Sequence, residues 1–162
     1  MRIIQALLGE HGAMYPLLEL IERTAAGADL PELKIRASCL RSAVGTHAKI
    51  EDELLRPAIQ AYLAPPATAG DGTAEPTDHE VIESGLSRVL ASAEAEQARQ
   101  SLLDTVAKTR EHFLKEETII FGIAARELPP EFQEQLGAEW ARRRGVSLVE
   151  ADGPHPPPCA ST

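Results

Sequence analysis

The side chains in this sequence with the types and spacing to do chemistry are histidines and glutamates. Four of the five histidines, His11, His47, His79 and His112, stand far apart, each on a run of apolar residues spaced three and four apart. His11 continues Ile4, Leu7 and Leu8 toward Met14, and His47 falls between Val44 and Leu54. His79 opens a row with Ile82 and Leu86, and His112 lies between Val106 and Ile119. Three of the four are followed four residues later by a glutamate, as His47–Glu51, His79–Glu83 and His112–Glu116. In a helix that spacing puts both side chains on one face. A single histidine on an apolar face is most often a hydrogen-bonded core residue, and a single such pair is usually a surface pair. Four placements on four separate segments point instead to one shared site. A carboxylate buried there without a partner would cost several kcal/mol, and a cation between the helices removes that cost.

Imidazole and carboxylate without thiolate favour iron, with manganese or zinc as competitors. Two or three glutamates among four histidines exceed the needs of one tetrahedral ion, so a two-metal centre with bridging carboxylates fits better. None of the four histidines has glutamate three residues before it, which argues against the Glu-x-x-His di-iron bundles. The His-Glu-x-x-His of zinc proteases is absent as well. No side chain stands out as a catalytic acid or base. Tyr15, one turn beyond His11, reads as a core tyrosine near the site.

These ligands need helices to position them, and helical periodicity runs from end to end. The first helix spans residues 2 to about 25 and ends at Gly27; the second runs from about Pro31 to Leu63, with Pro57 as a kink point. Residues 64–76, rich in Pro, Gly, Ala and Thr, form the long internal loop. Thr77 or Asp78 caps a third helix, a weak break at 92–96 separates it from a fourth, and the ligand segment of the fourth ends at Gly122. Pro129-Pro130 starts a short fifth helix with Phe132, Leu136 and Trp140 on one face. The all-α expectation is an up-down-up-down four-helix bundle over residues 1–145, with that fifth C-terminal helix, followed by a disordered Pro-rich tail over 146–162. At a rise of ~1.5 Å per residue, His11 lies roughly 21 Å before its helix end and His47 about 24 Å after the next start. His79 and His112 match in the same way across their own turn, so all four reach one layer.

Composition narrows the function classes. With 162 residues the chain has one domain's length, and 43% hydrophobic content supplies a core. Only one Trp, two Tyr and three Phe are present, so that core must be aliphatic. A net charge of −9 repels phosphate backbones and anionic head groups, which excludes nucleic-acid and membrane partners. Two cysteines make no disulfide scaffold, and a reduced cytoplasmic setting fits them. Polar residues interrupt the start too early for a signal peptide, and no apolar run approaches the ~20 residues of a membrane span. Cys39 lies roughly 12 Å from His47 by helical rise, too far to be a ligand. His155 and Cys159 read as a linker tail, and Arg142-Arg143-Arg144 as an offset to the negative end of the last helix.

The ordered set His11, His47-Ala-Lys-Ile-Glu51, His79 and His112-Phe-Leu-Lys-Glu116 resembles the hemerythrin-like HHE cation-binding family over roughly residues 2–125. The resemblance implies a four-helix bundle holding two non-haem iron ions with oxo and carboxylate bridges. By the same resemblance His11 and His47 serve one iron, His79 and His112 the other, and Glu51 and Glu116 bridge them. The chain departs from the oxygen carriers of that family at two places. Glu83 stands where they have a second third-helix histidine, and counts as a candidate ligand. Their aspartate lies five residues after the fourth-helix histidine, where this chain has Glu117. Glu116 lies closer to the stripe through His112 and Ile119 and is preferred, with Glu117 the alternative. Carboxylate in place of imidazole favours the ferric state over reversible oxygen carriage. The pattern is similar to the shorter actinobacterial hemerythrin-like proteins, which implies handling of a small oxidant (peroxide, O2 or NO), with catalase-like peroxide decomposition, by a monomer or homodimer. The alternative is a non-catalytic iron, oxygen or redox sensor, or an iron-homeostasis protein, signalling to a partner through the fifth helix or the tail. A third reading is a helical bundle without metal.

Overall fold

The computed structural model describes residues 1–63 and 76–147. The centre of the expected loop and the tail with its expected disorder, His155 and Cys159 lie outside the described residues. No strand is present among the described residues. Helix α1 is Ile3–Thr24, and α2 begins at Leu30–Ile50, where Asp29 accepts from the Glu32 backbone N–H and Pro31 sits in the first turn. Helix α3 is Asp78–Ala91, capped by the Thr77 hydroxyl with Glu80 answering back to the Thr77 N–H. Helix α4 begins at Ala95–Lys115 and α5 is Pro130–Arg144, closed by Gly145 at a positive φ of 65°.

Two of these helices differ from regular helices where the chemistry lies. After Ile50, α2 passes through a π-helical turn over Glu51–Leu55, in which the Arg56 N–H bonds the Glu51 carbonyl, and continues as Arg56–Ile59. After Lys115, α4 does the same over Glu116–Ile120, with the Phe121 N–H on the Glu116 carbonyl, and runs on through Phe121–Glu127. The expected end at Gly122 is therefore a correction: the helix carries through it. The expected second helix to Leu63 likewise stops at Ile59, followed by a short 3-10 turn over Gln60–Tyr62. Each π turn inserts one residue, so the apolar stripe shifts round the helix. Ile119, placed on that stripe by periodicity, is 53% exposed.

Helix α1 packs on α2 and α4, α2 on α3, and α3 on α4, the neighbour pattern of a four-helix bundle. The core is two largely aliphatic clusters, each with one phenylalanine, Phe113 in the first and Phe121 in the second. One holds Leu18, Ile21, Leu33, Leu40, Ile82, Leu86, Val89, Leu102 and Val106, and the other Ile3, Leu7, Leu54, Leu55, Ile59 and Phe121. Along α1, His11 falls between Leu7 of the second cluster and Met14 of the first; along α2, His47 follows Val44 and precedes Ile50. The histidines thus occupy a polar layer between two dry ones. Where α3 crosses α4, a Cβ on Gly85 would collide with the Thr105 hydroxyl, so glycine permits the close approach. Helix α5 lies along α1. Gly137 brings it against the Met1 carbonyl, and the buried Gln133 donates to the Leu128 carbonyl at 2.8 Å. Of Phe132, Leu136 and Trp140, expected on one face of α5, Leu136 and Trp140 pack partly buried on the second cluster beside the buried Gln133, Gly137 and Ala141, while Phe132 is 38% exposed. No helix among the described residues is long and apolar enough to cross a membrane.

Candidate metal centre

The four histidines of the layer turn their Nε2 atoms inward. His11 Nε2 and His47 Nε2 are 3.0 Å apart, and both rings are buried. Between them and the opposite pair lies Glu116, also buried. Its Oε2 is 3.3 Å from His11 Nε2 and 3.9 Å from His47 Nε2; its Oε1 is 2.9 Å from His112 Nε2 and 3.8 Å from His79 Nε2. Glu51, buried in turn, places Oε2 3.4 Å from His79 Nε2. Two ligand sets result, Glu51–His79–His112–Glu116 and His11–His47–Glu116, and within each the donor atoms lie within 4.8 Å of one another. Glu116 belongs to both.

Glu83 is not brought into the layer. It turns outward to form a two-pronged ion pair with Arg41 of α2, with Arg41 Nε donating to Oε2 at 3.1 Å. Glu117 also stays out of the inner set. It accepts from His11 Nδ1 at 2.8 Å and from the Tyr15 hydroxyl at 3.0 Å, which gives Tyr15 a polar partner beside the site. Glu116 was favoured over Glu117 by periodicity through Ile119. The Glu116 N–H still bonds the His112 carbonyl, so the regular i+4 relation brings its side chain inward; the π turn that opens at Glu116 shifts the residues after it, Ile119 among them. Glu51 opens the other π turn.

Glu117 is one of four carboxylates that periodicity did not identify as supports. Glu10 of α1 accepts from His47 Nδ1 of α2 at 2.8 Å. Asp52 of α2 accepts from His79 Nδ1 of α3 at 3.1 Å. Asp78 of α3 stands 3.7 Å from His112 Nδ1 of α4, and Glu117 of α4 returns to His11 of α1. Each helix supports the histidine of the next, and the ring closes. An N–H held at Nδ1 leaves the lone pair of a neutral imidazole on Nε2, pointing at the centre, which is how protein metal sites orient their histidines. The sequence does carry a signal for these residues. Each acid is the immediate neighbour of an inner residue, as in Glu10-His11, Glu51-Asp52, Asp78-His79 and Glu116-Glu117. One step along a helix turns the side chain by roughly 100°, away from its own neighbour and toward the next helix.

Electrostatics follow the same layout. Burial works to raise the Glu116 pKa, but His11, His112 and His47 outweigh it and hold the carboxyl far below the usual range. Glu51 goes the other way: burial, helped by the negative Glu116, lifts it against the pull of the neighbouring His79 imidazole. Burial would lower His47, yet Glu10, Glu116 and Glu51 carry it from 6.5 to about 9. His79 is raised, against burial, by Glu51 and Asp52. Asp78 falls to about 2 despite partial burial, because Lys108 and Lys115 bond it.

The donor set fits a divalent or trivalent cation. Both oxygens of Glu51, both oxygens of Glu116, His79 Nε2 and His112 Nε2 are buried without a hydrogen-bond partner in the polypeptide. Unsatisfied buried polar atoms are rare in folded proteins, and here they converge on one place. Two imidazole nitrogens facing each other at 3.0 Å likewise need a proton or a cation between them. Phe113 stacks on His11 with ring centroids 3.9 Å apart and keeps that side dry.

Compared with known proteins, the chain matches no curated protein and no solved structure. The profile of the family described as "Hemerythrin HHE cation binding domain" matches residues 2–124. That span holds the four inward-facing histidines, Glu51 and Glu116, all carried by the four bundle helices and grouped in the two ligand sets that share Glu116. The chain therefore belongs to the hemerythrin HHE cation-binding family and is a metal-binding hemerythrin-like protein.

Proposed function

We propose that this protein is a non-haem di-iron protein that handles a small oxidant, with catalase-like decomposition of peroxide as its reaction and O2 or NO as other ligands of the same site. The observation that carries the reading is Glu116, one buried carboxylate with an oxygen toward each histidine pair. In this reading His11 and His47 hold one iron, His79 and His112 the other, and Glu51 and Glu116 lie between them. Glu83 serves at the surface with Arg41 rather than on a metal. The iron would supply the redox chemistry; the chain's own part is to orient imidazoles through Glu10, Asp52, Asp78 and Glu117 and to exclude bulk water.

Access also suits a small molecule. A cleft of about 250 Å³ between α2 and α3 is lined by Val44, Gly45, Ala48, Ile82 and Leu86 and ends at His79. The Arg41–Glu83 pair stands at its rim. His79 is the least covered of the four histidines, so the cleft leads to the most accessible side of the layer. Tyr15 is already bonded to Glu117 and takes no proton-transfer role here. Cys39, a free and exposed thiol, suits a cytoplasmic setting.

Elemental analysis and an absorption spectrum of aerobically purified protein test this reading, followed by a peroxide assay. The expected result is two irons per chain with near-ultraviolet ligand-to-iron bands and peroxide turnover, with His112→Ala stripping at least one metal. Zinc alone, or no metal after iron loading, overturns it. A second reading, an iron or redox sensor acting through a partner, is favoured by one observation: α5 reaches the support of His47.

A further inference from the structure

Three of the four histidine supports are held from within the bundle. Glu117 accepts from Tyr15 of α1, Asp52 forms an ion pair with Arg56 of its own helix, and Asp78 forms ion pairs with Lys108 and Lys115 of α4. Glu10 is different. One of its oxygens accepts from His47 Nδ1 at 2.8 Å, and the other accepts from Trp140 Nε1 at 2.9 Å and Arg144 Nε at 2.7 Å. Both donors lie on α5, beyond residue 124 where the family match ends. Arg144 Nη2 also donates to the Thr46 carbonyl at 3.1 Å, one residue before His47, and Arg143 pairs with Glu53 in the π turn that Glu51 opens. Trp140 is the sole tryptophan of the chain. Glu10 lies at the edge of the layer, its side chain 16% exposed. Without those two donors nothing on its outer side would keep it against His47 rather than in water.

We propose that α5 is a working part of the His11/His47 half of the metal centre, with Trp140 and Arg144 acting as positioning residues that hold Glu10 on His47. A cation in that half and the docking of α5 then stabilise each other, because coupling between two binding events is reciprocal. In the other half the supports Asp52 and Asp78 are held by Arg56, Lys108 and Lys115 rather than by α5, which reaches that half only through the Arg143–Glu53 pair. The inference rests on the two-cation reading above and names a part of the chain that belongs to one cation only.

Zinc titration of the full chain against a chromophoric chelator tests it, with His79→Ala isolating the His11/His47 half and His11→Ala isolating the other. Loss of a supporting partner of a ligating histidine costs about 10–100-fold in metal affinity. Trp140→Phe, which keeps most of the ring packing and removes the N–H, and Trp140→Phe with Arg144→Met should weaken zinc by that factor in the His79→Ala background. In the His11→Ala background they should change it less than about threefold. Zinc should also shift Trp140 emission in the His79→Ala protein and leave it unmoved in the His11→Ala protein. If the double variant does not fold, Trp140→Phe alone carries the comparison. Equal weakening in both backgrounds, or none in either, overturns the role of α5 while leaving the two-cation reading intact. A wild-type chain that takes up no zinc and no iron overturns both.

Discussion

Stripping the cations should cost this protein a large part of its stability, and the size of the loss follows from the site. Six buried polar atoms of Glu51, Glu116, His79 and His112 have no partner in the polypeptide. Leaving one such group unsatisfied costs ~1–3 kcal/mol, so two left uncovered amount to roughly 2–6 kcal/mol against a typical total of ~5–15 kcal/mol. From the binding side, a cation present at 1,000 times its Kd contributes about 4 kcal/mol. In a domain of this size each kcal/mol moves Tm by ~2–4 °C, so metal-free protein should melt about 8–16 °C below the loaded form. Thermal melts followed by circular dichroism, with and without zinc, read this directly. Glu51→Leu supplies the converse. Burial raises the Glu51 pKa, so the folded metal-free chain bears a cost from this carboxyl once pH exceeds its unfolded value near 4.5, and the cost is relieved as pH falls. Metal-free Glu51→Leu should therefore melt no lower than metal-free wild type at neutral pH, and should lose most of the gain from zinc. Equal melting of loaded and metal-free wild type would refute the reasoning. So would a metal-free Glu51→Leu that melts well below metal-free wild type at neutral pH.

Proton competition gives a second expectation. His47, held at about 9 in the metal-free chain, stabilises the fold as imidazolium fully below 6.5, and that contribution is lost as pH rises through about 9. A cation must displace that proton, so zinc affinity from chelator competition should strengthen from pH 6 to about 9; a flat profile contradicts the ligand role of His47. Gly85→Ala drives a methyl into Thr105, whose Cβ would lie 3.2 Å away, and should cost ~1–3 kcal/mol in urea unfolding, with Thr105→Ala restoring much of it. Gly45→Leu has open space for its first carbon and projects into the cleft that ends at His79. It should leave iron content unchanged and slow peroxide turnover; unchanged turnover places ligand access elsewhere.

The helices, the ligand types and their common layer were legible in the residue order because each rests on local geometry. A 3.6-residue period gives the faces, Asp29 with Pro31 and Thr77 with Glu80 mark the starts, and a rise per residue sets the heights of His11, His47, His79 and His112. The π turns were not legible. Glu-Asp-Glu-Leu-Leu and Glu-Glu-Thr-Ile-Ile carry no breaker, and the regular period carried through them put Ile119 on the wrong side.

What the sequence by itself determined is a set of four histidine-bearing helices, three of them with a glutamate at i+4, since those relations hold within one helix whatever surrounds it. What only the tertiary structure decided are relations between helices, which depend on how each is rotated and set against its neighbours. Glu83 has the same i+4 spacing from His79 as Glu51 has from His47, yet Arg41 on α2 draws it outward. Glu10, Asp52, Asp78 and Glu117 become supports because a one-residue step turns each toward the following helix in the ring. Trp140 and Arg144, more than 90 residues beyond His47, reach its partner Glu10 because Gly137 lets α5 lie close against the N-terminus of α1, a contact between distant parts of the chain that no local pattern encodes.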